Sequence, residues 1–225
     1  MFIHLFKKAI FVALAAFTLF GLFIPNSALS DQHYETDNDK SAVLLILGDS
    51  LSAAYGLEQQ LGWVSLLQNK WQDEKIQIDI VNAAVSGETT DGGLARLPRL
   101  LEQHMPTHVL IELGGNDGLQ GHNTNKIMRN LEKIVVMSKD SGAEVFIQDI
   151  QIPTNYGRRY TDMFQSNYDS VASAQNIVKI PFFLQNIALN EELMQRDGIH
   201  PNAKAQPLIA DFMYEQLTNL ILPDE

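Results

Sequence analysis

Strand-like and helix-like segments alternate along most of this chain, and that alternation restricts the possible folds more than any other feature. Residues 43–47 form a short, continuous apolar run, as expected for a strand that is buried on both faces. Further strand-like patterns cover residues 76–81, 108–113, 144–150 and 177–183. Helical spacing of apolar residues lies between and after them, at residues 63–71, 89–104, 125–139, 160–174 and 203–220.

Repeated strand–helix units predict an α/β domain in which helices cover both faces of a parallel sheet. In such sheets ligands bind outside the carboxyl ends of the strands, so we expect functional residues directly after strands. Pro98 interrupts one helical pattern. Because proline lacks a backbone N–H, we expect this residue at a helix boundary or a kink.

The first 30 residues have the layout of a secretory signal peptide. Lys7 and Lys8 precede an uncharged run over residues 9–24, and the small residues at 28–30 suit cleavage before Asp31. An uncleaved anchor helix is the alternative, because the apolar run approaches the roughly 17 to 20 residues that span a bilayer. We expect cleavage, and therefore an exported protein that is periplasmic or secreted.

Beyond this leader we expect a polar lead-in over residues 31–42 and a single domain over residues 43–225. The leader contains two of the 16 Lys and Arg residues and none of the 27 Asp and Glu residues, so the remainder carries a net charge of −13. Such an acidic protein repels nucleic-acid backbones and anionic membranes, so we expect no nucleic-acid partner and no stable membrane insertion. The absence of cysteine excludes disulfides, thiolate metal sites and a cysteine nucleophile.

The segment Gly48-Asp49-Ser50-Leu51 follows the first strand and offers a candidate nucleophile. Glycine allows a tight turn there, and a serine at the start of a following helix would expose its hydroxyl beside free backbone N–H groups. Capping of that helix by Asp49 or Ser50 explains the same residues equally well.

The segment Asp197-Gly198-Ile199-His200-Pro201 precedes the last helical pattern and offers a base with its partner. A serine hydroxyl becomes a good nucleophile when a neighbouring imidazole accepts its proton, and a carboxylate stabilises the charged imidazole. Asp197 and His200 are three positions apart on a tight turn, so their side chains can meet. A surface turn in which Asp197 caps a helix at Pro201 is the alternative.

Gly87 and Asn116 follow the second and third strands and are candidate donors to a developing oxyanion. A backbone N–H exposed by a glycine and the two-donor amide of an asparagine can both be aimed at such a charge. Both residue types also form ordinary turns, which is the alternative interpretation.

Together these segments supply a nucleophile, a base, an orienting acid and two anion donors at strand ends. On these motifs the chain resembles the SGNH or GDSL hydrolase superfamily, named after its Ser, Gly, Asn and His, and within it the bacterial periplasmic arylesterase-type branch. The resemblance runs in unbroken order from about residue 43 to residue 220. It is carried by residues 44–53, 93–98, 112–119, 155–160 and 197–202.

The resemblance implies a flavodoxin-like, three-layer α/β/α sandwich with a five-stranded parallel sheet. It implies that Ser50 is the nucleophile, His200 the base and Asp197 the acid that orients the base. It also implies an oxyanion hole formed by the Ser50 N–H, the Gly87 N–H and the Asn116 side chain.

The activity implied by the resemblance is that of a serine esterase or thioesterase. Its substrates would be lysophospholipids, aryl esters or acyl-CoA, and an acyl-serine intermediate would form without a metal or an organic cofactor. Apolar residues on loops beside the site are candidates for binding the acyl chain, since each buried methylene contributes about 0.8 kcal/mol. They are Leu51, Leu119, Ile152, Pro153 and Tyr156.

The chain departs from its relatives at Ile152-Pro153-Thr154, where they have Leu-Pro. This position lines the acyl groove in the family, so the preferred chain length is the property least safely transferred. Three other interpretations are open: a carbohydrate acetyl esterase of the same superfamily, a non-catalytic binding module that holds phosphate, and a metal-dependent phosphoesterase using Asp49, Asp197 and His200. No segment indicates an oligomer interface, so we expect a monomer.

Overall fold

Five strands build the sheet of this protein. The structure is a computed structural model that describes residues 41–222, so the expected leader and nearly all of the lead-in lie outside the described residues. The strands are β1 (Ala42–Gly48), β2 (Ile78–Asn82), β3 (His108–Glu112), β4 (Glu144–Gln148) and β5 (Val178–Ile180). The last strand is shorter than expected because Pro181 follows it, and proline has no N–H for the ladder.

All five strands are parallel, in the order β2-β1-β3-β4-β5. This is the strand order of flavodoxin-like sheets, so the expected architecture is confirmed. The inner strand β1 is bonded to β2 on one side and β3 on the other. Leu44, Leu45, Ile46 and Leu47 have no exposed surface, which explains why their sequence is apolar without alternation.

Residues 41–222 contain six α-helices, and all of them except the short third one pack on the two faces of the sheet. They are α1 (Trp63–Asp73), α2 (Thr90–His104), α3 (Gly115–Leu119), α4 (Thr124–Asp140), α5 (Arg158–Gln175) and α6 (Gln206–Ile221). Leu44 and Ile46 pack into one core with α1 and α6, whereas Leu45 and Leu47 pack into a second core with α2, α4 and α5. Two separate cores on opposite faces make the fold a three-layer α/β/α sandwich.

The chain after Ser50 differs from the expected helix. Residues 50–56 form turns, and the next α-helix begins at Trp63. One helical turn does form, since the Ala53 N–H donates to the Asp49 carbonyl at 3.0 Å. Ala54 then adopts a left-handed backbone conformation, with φ of 56°, and this ends the turn.

The positions of Pro98 and Pro201 were each open to two interpretations, and the structure excludes one of them in both cases. Pro98 lies inside α2, so the helix boundary is excluded. It is on the exposed side of the helix, while Leu97 and Leu101 on the other side are buried, so packing outweighs the lost hydrogen bond. The alternative in which Asp197 caps a helix at Pro201 is excluded as well: Pro201 pairs with Met194 in an antiparallel bridge, and α6 begins at Gln206.

Between residues 41 and 222, none of the helices combines the length and the apolar character needed to cross a bilayer.

Candidate active site

The loops after β1, β2 and β3 bring the predicted nucleophile and oxyanion donors to the carboxyl edge of the sheet. Ser50 lies two residues after β1, Gly87 lies in the turn after β2, and Asn116 lies in α3 shortly after β3. Asp197 and His200 come from the long loop between β5 and α6. This is the edge at which parallel sheets place their ligands.

His200 connects Ser50 to Asp197 through two short contacts. Its Nε2 lies 2.8 Å from Ser50 Oγ, and its Nδ1 lies 2.7 Å from Asp197 Oδ2. With the proton on Nδ1, the imidazole donates to the carboxylate and Nε2 accepts from the serine hydroxyl. The three side chains therefore have the connectivity of a Ser-His-Asp triad.

Backbone hydrogen bonds keep the Asp197 carboxylate ionised. Its Oδ1 accepts from the Ile199 N–H at 2.9 Å and from the His200 N–H at 3.0 Å. Desolvation opposes the charged form, but these donors and the His200 side chain outweigh it and lower the pKa of Asp197 to about 2. The carboxylate is therefore charged wherever the imidazole needs a counter-ion.

Residues 194–201 form a small antiparallel arm that carries Asp197 and His200. The Gln195 N–H donates to the His200 carbonyl at 2.7 Å, next to the bridge between Met194 and Pro201. The Gln195 side-chain Nε2 donates to the Tyr55 carbonyl at 2.8 Å, which ties this loop to the turn after Ser50. The two halves of the triad are thus joined by a second, polar contact.

The Tyr55 ring covers the imidazole of His200. The ring centroids are 4.2 Å apart and the planes are tilted by 31°. Tyr55 is itself half exposed, so it stands between the imidazole and solvent. This contact restricts the rotation of the base.

The oxyanion donors occupy neighbouring turns. Gly87 has a φ of 81°, a left-handed conformation that suits glycine. Among residues 41–222, neither the Gly87 N–H nor the Ser50 N–H donates to a protein acceptor. Asn116 Nδ2 donates to the Glu88 carbonyl at 2.9 Å and to Asp49 Oδ2 at 3.0 Å, which links Asn116 to the turn that carries Gly87.

Two buried carboxyl groups lie beneath the nucleophile. Asp49 Oδ1 accepts from the Leu51 N–H at 3.0 Å, and Glu112 Oε2 accepts from the Asp49 N–H at 3.2 Å. Burial raises the pKa of Asp49 to about 6 and that of Glu112 well above its usual range.

Across the described residues, no group of three or more His, Cys, Asp or Glu side chains is arranged to hold a metal ion.

A groove of about 490 Å³ opens beside Ser50. Four of the five predicted acyl-binding residues line it, namely Leu51, Leu119, Ile152 and Pro153, and Thr154 lines it as well. Tyr156 is not part of the wall; its hydroxyl donates to the Leu119 carbonyl at 2.7 Å.

The opposite part of the groove wall comes from the loop after β5, which the sequence interpretation did not single out. Phe182 is buried and also lines the groove. Leu184, Ala188 and Leu189 follow it along the same wall. Their helix-like spacing resembles that of core residues, so only the position of the loop relative to Ser50 identifies them.

Comparison with known proteins agrees with this geometry. Residues 46–207 match the GDSL-like Lipase/Acylhydrolase family. The chain is 46% identical to the arylesterase of Vibrio mimicus over 177 residues, which cover 79% of this chain and 88% of that protein. It is also 46% identical to thioesterase 1/protease 1/lysophospholipase L1 of Escherichia coli strain K12 over 181 residues, which cover 80% of this chain and 86% of that protein.

Solved structures give the same result. The psychrotrophic esterase EstA from Pseudoalteromonas sp., in a structure inhibited by monoethylphosphonate, superposes with a TM-score of 0.78 and 49% identity, covering 79% of this chain and 97% of that one. The structure of TesA superposes with a TM-score of 0.76 and 44% identity, covering 79% and 99%. The chain therefore belongs to the GDSL-like lipase/acylhydrolase family and is a serine hydrolase of the esterase and thioesterase type.

Proposed function

We propose that the chain hydrolyses fatty acyl esters and thioesters by transferring the acyl group to Ser50. His200 Nε2 accepts the hydroxyl proton while Oγ attacks the carbonyl carbon, and the Asp197 carboxylate stabilises the imidazolium that forms. The observation that carries this proposal is the 2.8 Å contact between Ser50 Oγ and His200 Nε2.

The negative charge that develops on the carbonyl oxygen is assigned to three donors. The Ser50 and Gly87 N–H groups are free among the described residues. Asn116 lies at the same strand edge, and its Nδ2 donates to Asp49 and to the Glu88 carbonyl, so one of these two N–H groups would have to turn to the oxyanion. Removal of one such donor typically costs about 2.7–4 kcal/mol of transition-state stabilisation. We therefore assign these three groups to the oxyanion hole.

Hydrolysis is completed in two further steps by the same groups. When the tetrahedral intermediate collapses, the bond to the alcohol or thiol breaks and His200 gives its proton to the leaving group. The imidazole then removes a proton from water, which attacks the acyl-serine. The bond between Ser50 Oγ and the acyl carbon breaks, His200 returns the proton to Oγ, and the fatty acid is released. The protein's own side chains supply every proton transfer in this cycle.

The apolar groove supports fatty acyl groups as the part of the substrate that is recognised. Leu51, Ile152, Phe182 and Leu184 provide the apolar surface beside Ser50. The relatives are named arylesterase and thioesterase 1/protease 1/lysophospholipase L1, which agrees with fatty acyl esters and thioesters. Because the leader sequence predicts export, we assign the protein to the periplasm or the exterior and favour lysophospholipids as its physiological substrates.

Ser50→Ala tests this proposal together with an acyl-length series. Wild-type protein should be labelled by a fluorophosphonate probe, and its kcat/KM on p-nitrophenyl esters should rise by up to about fourfold per added methylene until the groove is filled. Ser50→Ala should lose labelling and lower kcat on the order of 10⁴-fold or more. Ser166→Ala, an exposed serine in α5, serves as the matched control.

Two results would count against the proposal. Labelling of Ser50→Ala at the wild-type level would exclude Ser50 as the nucleophile. A preference of the wild type for acetyl esters over fatty acyl esters would leave the serine mechanism in place and favour the carbohydrate acetyl esterase instead.

A further inference from the structure

Glu112 is a fully buried acid at the end of β3, directly beneath the turn that carries the nucleophile. Its Oε2 accepts from the Asp49 N–H at 3.2 Å and from the Ser52 hydroxyl at 2.7 Å. The turn approaches so closely that a Cβ on Gly48 would lie 2.8 Å from Glu112 Oε2. Glu112 is therefore built into the support of the Ser50 turn, although it does not touch the reacting atoms.

The surroundings of Glu112 are unsuitable for a negative charge. Within residues 41–222 its Oε1 has no hydrogen-bond partner, and neither Glu112 nor Asp49 forms an ion pair with Lys, Arg or His. The two acids are neighbours, since Glu112 Oε2 lies 3.2 Å from the backbone nitrogen of Asp49. Two buried carboxyl groups at this separation, without a cation, cannot both be ionised.

The hydrogen bonds of Asp49 indicate which of the two acids holds the proton. Asp49 accepts from the Leu51 N–H through Oδ1 and from Asn116 Nδ2 through Oδ2, as an ionised carboxylate does. Burial and the neighbouring Asp49 raise the pKa of Glu112 well above its usual range. Burial raises the pKa of Asp49, His200 lowers it and Asp117 raises it. Tyr168 is a further buried titratable group near both acids, and burial is the main reason why its pKa is raised.

We propose that Glu112 is a neutral acid that donates its proton to the ionised Asp49, and that Asp49 in turn orients the amide of Asn116. An asparagine amide can present either its oxygen or its nitrogen to the substrate. The charged Asp49 and the Glu88 carbonyl both accept from Asn116 Nδ2, and together they select the orientation in which the nitrogen and not the oxygen faces the oxyanion hole. One of the two N–H groups then turns to the oxyanion as the negative charge develops. Glu112 is thus a positioning residue, and this inference rests on the proposed role of Asn116.

Glu112→Gln tests the proposal because a glutamine amide is uncharged and, like a protonated carboxyl group, can both donate and accept hydrogen bonds. The amide oxygen still accepts from Asp49 N–H and Ser52, and the NH₂ group still donates to Asp49. We expect kcat/KM of this variant within about threefold of wild type. Glu112→Ala removes the donor and should lower kcat on the order of 10–100-fold with little change in KM, because orientation of Asn116 matters in the transition state.

The pH dependence of the melting temperature gives a readout that is independent of activity. In the unfolded chain Glu112 ionises near its ordinary pKa of 4.5, whereas the folded protein retains the proton. A folded-state pKa above the unfolded one stabilises the protein at low pH, and this contribution is lost as pH rises. The Tm of Glu112→Gln relative to wild type should therefore increase between pH 5 and pH 8, while the exposed Glu102→Gln shows no such trend.

The possible results separate this inference from the proposed function. A Tm difference between Glu112→Gln and wild type that is constant from pH 5 to pH 8 would overturn the neutral acid, and so would a Glu112→Gln variant as slow as Glu112→Ala. If wild-type protein showed no esterase activity, the proposed function would fail. The melting data would still decide the protonation of Glu112 in that case.

Discussion

At the scale of single residues, the roles proposed for His200 and Asp197 make the reaction depend on the protonation state of both side chains. The imidazole must be neutral to accept the Ser50 proton, whereas Asp197 must be charged to stabilise the imidazolium. Hydrogen bonds from the loop lower the pKa of Asp197 to about 2, below its ordinary value of 3.8. Its stabilising effect on the fold is thus complete above pH 3.8 and is lost as pH falls through about 2.

We expect the acid limb of the kcat/KM profile to come from groups other than Asp197. His200 must be neutral to act as the base, and Asp49, whose pKa burial raises to about 6, must be ionised to orient Asn116. Asp197→Asn should therefore keep this limb and lower kcat by about 10²–10⁴-fold, because the imidazolium loses its counter-charge. The measurement is kcat/KM against pH for wild type, Asp197→Asn and the exposed control Asp140→Asn. Loss of the acid limb in Asp197→Asn would contradict the assignment of Asp197.

Site residues whose partners are close in the sequence could be identified from the sequence, and site residues whose partners are distant in the sequence could not. Gly48-Asp49-Ser50 and Asp197–His200 are short motifs, so their chemistry can be inferred from neighbouring positions. Tyr55 and Gln195 are 140 positions apart and join their two loops through a hydrogen bond. Glu112 looks in the sequence like an ordinary acid at the end of a strand. Only the packing of separate segments shows that these three residues support the site.

At the scale of structural elements, two loops must keep a fixed position relative to each other for the triad to form. The turn after β1 carries Ser50, and the arm that precedes α6 carries Asp197 and His200. Gln195 connects them, since its Nε2 donates to the Tyr55 carbonyl at 2.8 Å and to the Pro201 carbonyl at 3.2 Å. The contact fixes the distance between nucleophile and base without taking part in the chemistry.

Replacement of Gln195 should loosen the triad and leave the fold intact. We expect Gln195→Ala to lower kcat about tenfold, since a displaced base forms the near-attack geometry less often. Its Tm should stay close to that of Arg196→Ala, an exposed neighbour that forms no ion pair among the described residues. Equal kcat values for the two variants would show that the polar contact does not position His200.

Element boundaries were predicted least well where tertiary packing outweighs local preference. The strands were identified correctly because buried parallel strands require apolar runs, as residues 43–47 illustrate. Of the two positions predicted for Pro98, the helix boundary is excluded because the burial of Leu97 keeps α2 continuous through a residue that disfavours helices. The expected helix at Ser50 is replaced by turns because Ala54 turns the backbone to the left-handed region.

At the scale of the whole molecule, negative charge should decide how fast different substrates arrive. The full chain has a net charge of −11. Salt shortens the range of this field, from about 30 Å at 0.01 M to about 8 Å at 0.15 M. A polyanionic substrate such as acyl-CoA is repelled at low salt, whereas a neutral ester is not.

We expect kcat/KM for acyl-CoA to increase about two- to tenfold between 0.01 M and 0.15 M salt. The p-nitrophenyl ester of the same fatty acid is the control for effects of salt on the groove itself. Steady-state rates on both substrates at matched pH provide the measurement. A fall in the acyl-CoA rate with salt would indicate that basic residues near the groove dominate over the net charge.

Ser50 and its proposed base His200 are separated by 150 positions of the chain. A polypeptide growing on the ribosome therefore acquires the imidazole 150 residues after the serine. Until that residue has been added, the proposed mechanism gives the hydroxyl no proton acceptor, so a nascent chain that stops between the two cannot cleave the acyl lipids of the cell that makes it. The order of segments thus delays the onset of hydrolysis until the segment that contains His200 has been synthesised and folded.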